Sequence, residues 1–442
     1  MNLPELAALK RRFAFRPELA LLYDKVAGIE LQLNESALRI VQGSFNAADW
    51  HQATSTLVRE FAVPSEVLEA DLLRCWTSIL NAPSHAPNRK GGAPTPWLDA
   101  SLPFPLVLEI ELTSICNWHC DFCYNVWKVS DDYTPHLDER HLPLTVARSI
   151  LDEAHANQCM RIRFSGGEPT LHPQFDEIVQ YAGSLGFRIE VFTNGSRITP
   201  ERALRFAQNG VRTMLVSMHG DEQQHNQFAA HKNAYSQAMR AMELALENGI
   251  AVVAETLVCA ENIEGLERMV ERLNSLGVRR IAFMPYVPFG PRDKRTPVAP
   301  REVERLIDRV KAVATPDTVF GVPCAPRHCL ETVPSAINEP VSDSFTNHCA
   351  AGILWASVSF DGRLRHCPHS AVFAGNVEEG IGKLWREHIV PTVRASLAPD
   401  HDACGTCGQY HACRGGCHLQ KVTNYHRPAH KRVPIHLVRG AA

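Results

Sequence analysis

Three cysteines, Cys116, Cys120 and Cys123, lie in the segment SICNWHCDFCYN at the spacing C-x3-C-x2-C. Thiolates in one short loop are ligands for zinc or for an iron–sulfur cluster. A structural zinc site or a conventional cluster takes four protein ligands, whereas three thiolates can hold three irons of a [4Fe–4S] cluster. The spacing therefore indicates a cluster whose fourth iron is open for a substrate. The alternative is a zinc knuckle completed by His119 or by a remote cysteine.

A second group of cysteines follows residue 321, where the segment CGTCGQYHACRGGC is rich in glycine and has few apolar side chains to bury. A segment of this kind needs a metal to fold. Its cysteines fit C-x12-G-x4-C, around Gly362, and C-x2-C-x5-C-x3-C; a single structural zinc on the last four is the alternative. The members of this group are Cys349, Cys367, Cys404, Cys407, Cys413 and Cys417, with Cys324 and Cys329 one loop upstream. The other three of the fourteen cysteines, Cys75, Cys159 and Cys259, stand alone in apolar segments and are predicted to be buried packing residues.

The composition excludes several classes of function. The 442 residues are enough for two or three domains, with 45% hydrophobic and 21% charged residues, and the formal charge of −3 gives no reason to expect nucleic acid. The first residues lack the order of a signal peptide, and no apolar run approaches the length of a membrane span. We therefore expect a cytoplasmic protein that binds neither membrane nor nucleic acid.

The elements that must position the first cysteines alternate regularly. Strands are predicted at LVLEIEL, RIRFS, RIEVFT, TMLVSM, AVVAETLV and RIAFMP, and helices near 143–157, 173–184, 199–209, 236–248, 264–275 and 300–314. Six such units imply a parallel sheet, either doubly wound or curved into a partial barrel, with the reactive site at the carboxyl ends of the strands. The three cysteines come directly after the first strand, where that site is expected.

The regions on either side of these units have a different character. Before residue 83, ALLYDKVAGIELQLN alternates like a β-hairpin, and ESALRIVQ, DWHQATSTLVREF and SEVLEADLLRCWTSIL have helical periodicity. Residues 81–105 contain six prolines and two glycines and read as a linker. After residue 321, ASVSFDGRLRHC predicts a hairpin that turns at Asp361 and Gly362. The predicted domains are 1–82, a linker at 83–105, 106–320 and 321–442.

The first cysteine motif, with an aromatic residue at Phe122, resembles the signature of the radical S-adenosylmethionine (radical SAM) superfamily. That resemblance implies a partial (β/α)6 TIM-like barrel, a [4Fe–4S] cluster on the catalytic Cys116, Cys120 and Cys123, and S-adenosylmethionine on its open iron. Further motifs occur in the family's order: SGGEP after the second strand, FTNG after the third and SMHG after the fourth. The cofactor-binding residues that the resemblance implies are Phe122, Gly166, Gly167, Glu168, Pro169, Thr193, Asn194, Ser217 and His219.

Each of these residues has an expected part. Gly166 and Gly167 let the backbone come close to a ligand, and Glu168 offers an acceptor to the ammonium of the cofactor's methionine. The polar groups of the third and fourth strands reach the ribose and the methionine carboxylate. The family's chemistry is reductive cleavage to a 5′-deoxyadenosyl radical, which abstracts hydrogen from an unactivated C–H bond. The sequence departs from the family near Phe228, where FAAHKNAYS has no arginine.

The later cysteines resemble the SPASM extension of radical SAM peptide-modifying enzymes, which holds two auxiliary [4Fe–4S] clusters. The resemblance implies a first auxiliary cluster on Cys349, Cys367 and Cys417, closed by Cys329 or by Cys324, and we favour Cys329. A second cluster on Cys404, Cys407 and Cys413 lacks its usual downstream cysteine. Its last position is filled by His418, His426, His430 or a spare upstream cysteine, or it stays open.

Residues 1–82 resemble the precursor-peptide recognition domains typified by the pyrroloquinoline quinone biosynthesis chaperone, which are winged-helix-like and bind a leader peptide at a sheet edge. Eight Lys and Arg against ten Asp and Glu in this region give no basic surface for DNA. The three resemblances predict a maturase that crosslinks a precursor peptide and receives electrons from a donor such as flavodoxin or ferredoxin. The alternatives are a maturase of a protein side chain or quinone cofactor, a zinc-stabilised peptide-binding scaffold, and an N-terminal region that only caps the barrel.

Overall fold

The fold is described from a computed structural model. It describes residues 4–82, 101–125, 140–286, 295–322, 349–370 and 372–396.

The N-terminal region is a three-stranded antiparallel sheet covered by helices. The predicted hairpin is present, with Leu21 of β2 opposite Gln32 of β3, and all three predicted helices form. Two elements are new: a first helix, and a four-residue strand β1 whose residues are all buried and therefore show no alternation. The elements are α1 (Leu6–Arg12), β1 (Phe13–Arg16), β2 (Leu21–Asp24), β3 (Ile29–Gln32), α2 (Glu35–Asn46), α3 (Trp50–Phe61) and α4 (Ser65–Leu80).

Side-chain caps and one aromatic core fix these helices. The Asn34 carboxamide accepts a hydrogen bond from the Ala37 amide at 2.9 Å and so caps α2, and Asp49 caps α3 through the Gln52 amide at 2.8 Å. Trp76 of α4 is fully buried against the sheet. The sheet is open beyond β3, because β3 pairs only with β2 among the described strands.

The central sheet has the predicted parallel strands in strict chain order. Doubly wound sheets reverse their strand order at a switch point, whereas the order here runs from β4 to β9 without reversal, so the fold is the partial (β/α)6 barrel. Its strands are β4 (Val107–Glu111), β5 (Arg161–Ser165), β6 (Arg188–Thr193), β7 (Val211–Ser217), β8 (Ala251–Val258) and β9 (Arg280–Pro285). The helices of this part are α5 (Leu144–Ala156), α6 (Phe175–Ser184), α7 (Pro200–Gln208), α8 (Glu222–Phe228), α9 (Ala234–Glu247), α10 (Leu266–Leu276) and α11 (Pro300–Val313).

The sheet is wider than predicted. A short parallel strand, β10 (Val319–Gly321), extends it beyond β9, and on the other side β11 (Trp355–Val358) pairs in parallel with β4. The antiparallel β12 (Arg363–Arg365) and β13 (Gly375–Asn376) follow, so the predicted hairpin belongs to the barrel sheet. Its turn includes Gly362, whose φ of +79° suits glycine. The last described elements are α12 (Ile381–Leu384), a π-helical turn (Trp385–Ile389) and α13 (Val390–Ser396).

The inner face of the barrel carries charged residues. Side chains alternate between the two faces along each strand, and the apolar ones lie on the outer face. Glu109, Arg163 and Glu190 lie side by side in one row across the inner face. Arg163 donates through Nε to Glu190 at 2.7 Å, and the Ser165 hydroxyl donates to Glu109 at 2.7 Å. Arg163 and Glu190 therefore form an ion pair inside the barrel.

The N-terminal sheet packs against the amino ends of the barrel strands. The Arg16 guanidinium donates to the Phe104 carbonyl, just before β4, at 3.0 Å. Arg161, the first residue of β5, lies over the ring of the buried Tyr23, 6.0 Å from its centroid. The N-terminal region therefore lies at the end of the barrel opposite the carboxyl ends. No helix among the described residues has the length and apolar character needed to cross a membrane.

Candidate functional site

The loop that follows β4 carries the first three cysteines to the carboxyl ends of the barrel strands, as predicted. Cys116, Cys120 and Cys123 are half-buried, and none is in a disulfide. No group of three or more His, Cys, Asp or Glu in the described part of the chain is placed to hold one metal ion. Three thiols on one loop, none of them in a disulfide, are a donor set that fits a cluster of several irons.

This loop crosses the mouth of the barrel and contacts the end of one strand after another. After β5, the Glu168 amide donates to the Ile115 carbonyl at 2.8 Å. After β6, the Asn194 side chain donates to Asn117 Oδ1 at 3.0 Å, while Asn117 donates to the Ser196 hydroxyl at 2.9 Å. The start of the loop is thus fixed by the loops that carry two of the predicted cofactor motifs.

The middle of the loop is held beyond β7 by an aromatic contact. Trp118 is buried and stacks on His231, with ring centroids 6.0 Å apart, and meets His225 edge-on at 5.6 Å. The His119 amide donates to the Ala229 carbonyl at 3.2 Å. No sequence pattern indicated this contact, because Trp118 lies between two cysteines and the residues it meets, His225 and His231, are about 110 positions away.

The end of the loop reaches the far side of the mouth. Phe122 lies edge-on to His219, with centroids 4.9 Å apart, and against Phe228. Asp121 accepts three hydrogen bonds from Arg295, at 3.0–3.1 Å, and the Arg295 guanidinium lies 3.9 Å from the centre of the Phe228 ring. The structure thus places an arginine beside Phe228 that comes from a distant part of the chain.

The two glycines of SGGEP allow close packing between backbones. A Cβ on Gly166 would lie 2.5 Å from the Thr113 carbonyl oxygen, and one on Gly167 would lie 2.2 Å from that of Ile115. We expected the glycines to admit a ligand. In the structure they admit the cysteine loop itself, whose backbone no larger residue would allow so near.

Glu168 is fully buried and is bound by the protein. Its carboxylate accepts from the Thr170 amide at 3.2 Å, the Thr170 hydroxyl at 2.5 Å, the Thr193 hydroxyl at 2.8 Å and the Asn194 amide at 2.7 Å. Burial raises the pKa of Glu168 above its ordinary value, and these donors offset only part of that rise. The carboxylate therefore joins the ends of β5 and β6, and Pro169 begins a turn of 3-10 helix directly after it.

The predicted residues of the fourth strand lie on the other side of the mouth. Ser217 ends β7, half-buried, with Glu255 of β8 opposite. His219 Nδ1 accepts from the Leu257 amide at 3.2 Å. Burial, and then the nearby His225 and Arg295, hold the pKa of His219 well below its ordinary value, so its ring is neutral at pH 7.

Two residues directly after Cys123 were missed by the sequence analysis. The ring of Tyr124 lies 4.3 Å from that of His369, between centroids, and therefore contacts the loop after β12. Asn125 is buried and donates through Nδ2 to the Gly166 carbonyl at 3.1 Å. Their position next to the cysteine motif was the only sign of either contact.

The second group of cysteines is described only in part. Cys349 is half-buried and Cys367 is buried. They flank the β11–β12 hairpin, which Arg365 ties to the barrel through a buried ion pair with Glu111 of β4. The remaining predicted ligands lie outside the described residues: Cys324, Cys329, Cys404, Cys407, Cys413, Cys417, His418, His426 and His430.

The isolated cysteines follow the prediction in two cases of three. Cys159 and Cys259 are buried. Cys75 is not, because it lies on the side of α4 that faces a groove of about 690 Å³.

The groove lies beside the open edge of β3, between the start of α2 and the length of α4. Its apolar lining is Leu31, Leu33, Ile40, Phe61, Val63, Leu68 and Ile79, and Asp71 and Arg74 add charges.

The family model described as the radical SAM superfamily matches residues 110–273. Mycofactocin maturase MftC of Mycobacterium tuberculosis (strain CDC 1551 / Oshkosh) is 27% identical over 340 residues, which are 73% of this chain and 81% of that protein. An AdoMet-dependent heme synthase of Methanosarcina barkeri (strain Fusaro / DSM 804) is 25% identical over 324 residues, which are 70% of this chain and 90% of that protein.

A solved structure has the fold of nearly the whole chain. Streptococcus suis SuiB bound to precursor peptide SuiA aligns with a TM-score of 0.68 at 17% identity, covering 94% of this chain and 96% of SuiB. At this identity the likeness concerns the fold alone.

Proposed function

We propose, from the premise that residues 110–273 form a radical SAM domain, that this chain cleaves S-adenosylmethionine reductively and modifies a ribosomally made precursor peptide. An intramolecular crosslink made after C–H abstraction is the product we favour. One observation carries the proposal: the loop of Cys116, Cys120 and Cys123 is bound to the ends of β5, β6 and β7, at the mouth of a barrel whose interior is polar.

The residues at the mouth of the barrel have different roles in binding the cofactor. Cys116, Cys120 and Cys123 would bind the cluster. When bound, the cluster and S-adenosylmethionine supply one-electron cleavage and hydrogen-atom abstraction. Glu168 holds Thr193 and Asn194 in place, so that the ends of β5 and β6 form one rigid wall. Phe122 and the neutral His219 form the opposite wall, which excludes water.

The groove beside β3 supports a peptide as the partner. An open strand edge offers backbone donors and acceptors to an extended peptide, and the apolar lining offers sites for alternate side chains. MftC is a mycofactocin maturase and SuiB was solved with a precursor peptide, whereas one relative is a heme synthase. The groove favours the peptide over a tetrapyrrole or a free quinone.

We also propose two auxiliary clusters on the later cysteines. The first uses Cys349, Cys367 and Cys417 with Cys329, and the second uses Cys404, Cys407 and Cys413. The Glu111–Arg365 ion pair supports a place for the first beside the barrel, because it joins the hairpin between Cys349 and Cys367 to β4. A reduced flavodoxin or ferredoxin would supply the electron.

The test uses the anaerobically reconstituted protein with dithionite, S-adenosylmethionine and the peptide encoded by a short reading frame beside its gene. We expect 5′-deoxyadenosine and a peptide lighter by two mass units, as a crosslink made by loss of two hydrogens requires. A peptide of unchanged mass, with cofactor cleavage intact, would refute the crosslink; a peptide that is also unchanged in chromatographic retention and in the chirality of its residues would refute the peptide assignment. Single Cys324→Ala and Cys329→Ala variants, compared by iron content and electron paramagnetic resonance, separate the two candidates for the first auxiliary cluster.

A further inference from the structure

Asn125 has a buried acceptor that the described protein leaves unused. The residue is 3% exposed, and its Nδ2 donates to the Gly166 carbonyl at 3.1 Å. That bond fixes the orientation of the amide, because a carbonyl oxygen cannot bond to another carbonyl oxygen. Its Oδ1 is shielded from solvent and receives no hydrogen bond from any described residue.

An acceptor buried in this way is uncommon. Most buried side-chain oxygens have a partner, and one without a partner costs stability unless a ligand or a water supplies the donor. Asn125 lies two residues after Cys123 and against the first glycine of SGGEP. The unused oxygen is therefore at the junction of the cysteine loop with the motif that the sequence analysis assigned to the cofactor's amino group.

Glu168, the acceptor expected from the sequence, is already bound by four donors of the protein, three of them on Oε1 and one on Oε2. Two donors from Thr170, one from Thr193 and one from Asn194 bind its carboxylate. These donors hold the loops together, so a ligand that displaced them would loosen the wall of the site. The amide oxygen of Asn125 is thus a second acceptor next to SGGEP, and unlike the Glu168 carboxylate it is bound by no donor of the described protein.

We propose that Asn125 Oδ1 accepts a hydrogen bond from the amino group of the methionine moiety of S-adenosylmethionine. The inference rests on the proposed function. The cofactor's other donors are the ribose hydroxyls and the adenine amine, and the polar residues expected to meet the ribose follow β6 and β7. Asn125 contacts the loop after β5 and belongs to the loop after β4. The amino group is thus the donor that its position matches.

The test measures cofactor affinity of the anaerobically reconstituted holoenzyme by equilibrium dialysis. Asn125→Ala and the isosteric Asn125→Leu are compared with wild type and with Asn157→Ala, a control at an exposed helix end. The probes are S-adenosylmethionine and its analogue without the amino group. Loss of one neutral hydrogen bond predicts a 3- to 10-fold weaker affinity for S-adenosylmethionine and no change for the analogue. The perturbation of the reduced-cluster paramagnetic signal by S-adenosylmethionine should need correspondingly more cofactor.

Two results would overturn the assignment to the amino group. One is an equal loss of affinity for both probes in both variants, which would show a structural or ribose-directed role. The other is unchanged affinity for both probes. Iron content and thermal unfolding are measured on each variant. If one of the two Asn125 variants is misfolded, the cofactor affinity of the other decides the test. A wild-type protein that binds neither cluster nor S-adenosylmethionine would instead refute the proposed function.

Discussion

Arg295 binds both carboxylate oxygens of Asp121, and this ion pair joins the cysteine loop to a segment 174 residues further along the chain. The Arg295 side chain is 9% exposed, and its guanidinium also packs on Phe228. The Arg295 side of the pair is therefore shielded, whereas Asp121 lies at the surface. The ion pair holds the end of the cysteine loop. Glu168 and Asn194 hold the start of the same loop, through Ile115 and Asn117.

Replacing Arg295 should loosen the loop and release iron. We expect Arg295→Met to lower the free energy of unfolding by about 1 kcal/mol, because three hydrogen bonds to the exposed Asp121 are lost. A chelator should remove iron faster from the variant than from wild type. Arg295→Lys keeps the charge without the planar fork and should give an intermediate rate. The control is Arg240→Ala, whose ion pair with Glu243 is exposed. Equal rates of iron release in the Arg295 and Arg240 variants would show that Arg295 does not hold the cysteine loop.

Gly167→Ala should damage the site without affecting distant parts of the fold. The added Cβ would lie 2.2 Å from the Ile115 carbonyl oxygen, and neither backbone can move without shifting the cysteine loop. We expect about 1–3 kcal/mol of destabilisation and a deficit of iron after reconstitution.

Gly249→Ala is the matched control for that substitution. Gly249 has φ +71° and nothing within 4 Å of its Cβ position, so the new methyl group meets only backbone strain. The expected cost is about 1 kcal/mol, with normal iron content. Normal iron content in Gly167→Ala as well would show that Gly167 does not shape the cysteine loop.

Much of this architecture follows from periodicity. Six strands and their helices alternate at lengths that the hydrophobic pattern reveals, and the cysteine loop lies at the predicted edge. The missed strands are two to four residues long, too short for a pattern to emerge. The sequence predicted which residues form the site, but it did not predict the hydrogen bonds and ion pairs between them. The pairing of Asp121 with Arg295 and the hydrogen bonds from Thr193 and Asn194 to Glu168 depend on residues that only the barrel brings together.

The junction between the N-terminal region and the barrel should depend on pH through Lys25. This lysine is 5% exposed, and burial lowers its pKa from 10.5 to about 8. Between these values the unfolded chain holds the proton and the folded chain does not, so stability rises with pH from about 8 to about 10.5. Below pH 8 the full penalty for a buried ammonium applies.

Lys25→Met should therefore raise the free energy of unfolding at pH 7 by about 3 kcal/mol. Its advantage over wild type should shrink as the pH approaches 10, which urea denaturation at several pH values would reveal. Lys383→Met, at an exposed position, serves as the control. A difference between Lys25→Met and wild type that does not change with pH would contradict the burial argument.

Leader binding should depend on the backbone of β3. The Leu33 amide donates to the Ala20 carbonyl, towards β2, so by alternation the Glu30 amide points to the open edge. Glu30→Pro removes that donor from the edge while the bonds to β2 remain. We expect affinity for the adjacent-gene peptide to fall about tenfold, measured by fluorescence anisotropy, and cofactor cleavage without peptide to be unchanged.

Glu30→Ala is the control for the proline, because it removes the same side chain and keeps the amide. It should bind the peptide as wild type does. Equal affinity of Glu30→Pro and wild type would mean that the peptide does not add to this edge, and the N-terminal region would then be a cap on the barrel.

The most direct test of the whole account is the yield of 5′-deoxyadenosine from S-adenosylmethionine in the dithionite-reduced protein, measured by mass spectrometry. Wild type should form it, and the variant with Cys116, Cys120 and Cys123 all replaced by alanine should form none while it retains the iron of the auxiliary clusters. Cofactor cleavage that persists in the triple variant would contradict the assignment of these three cysteines.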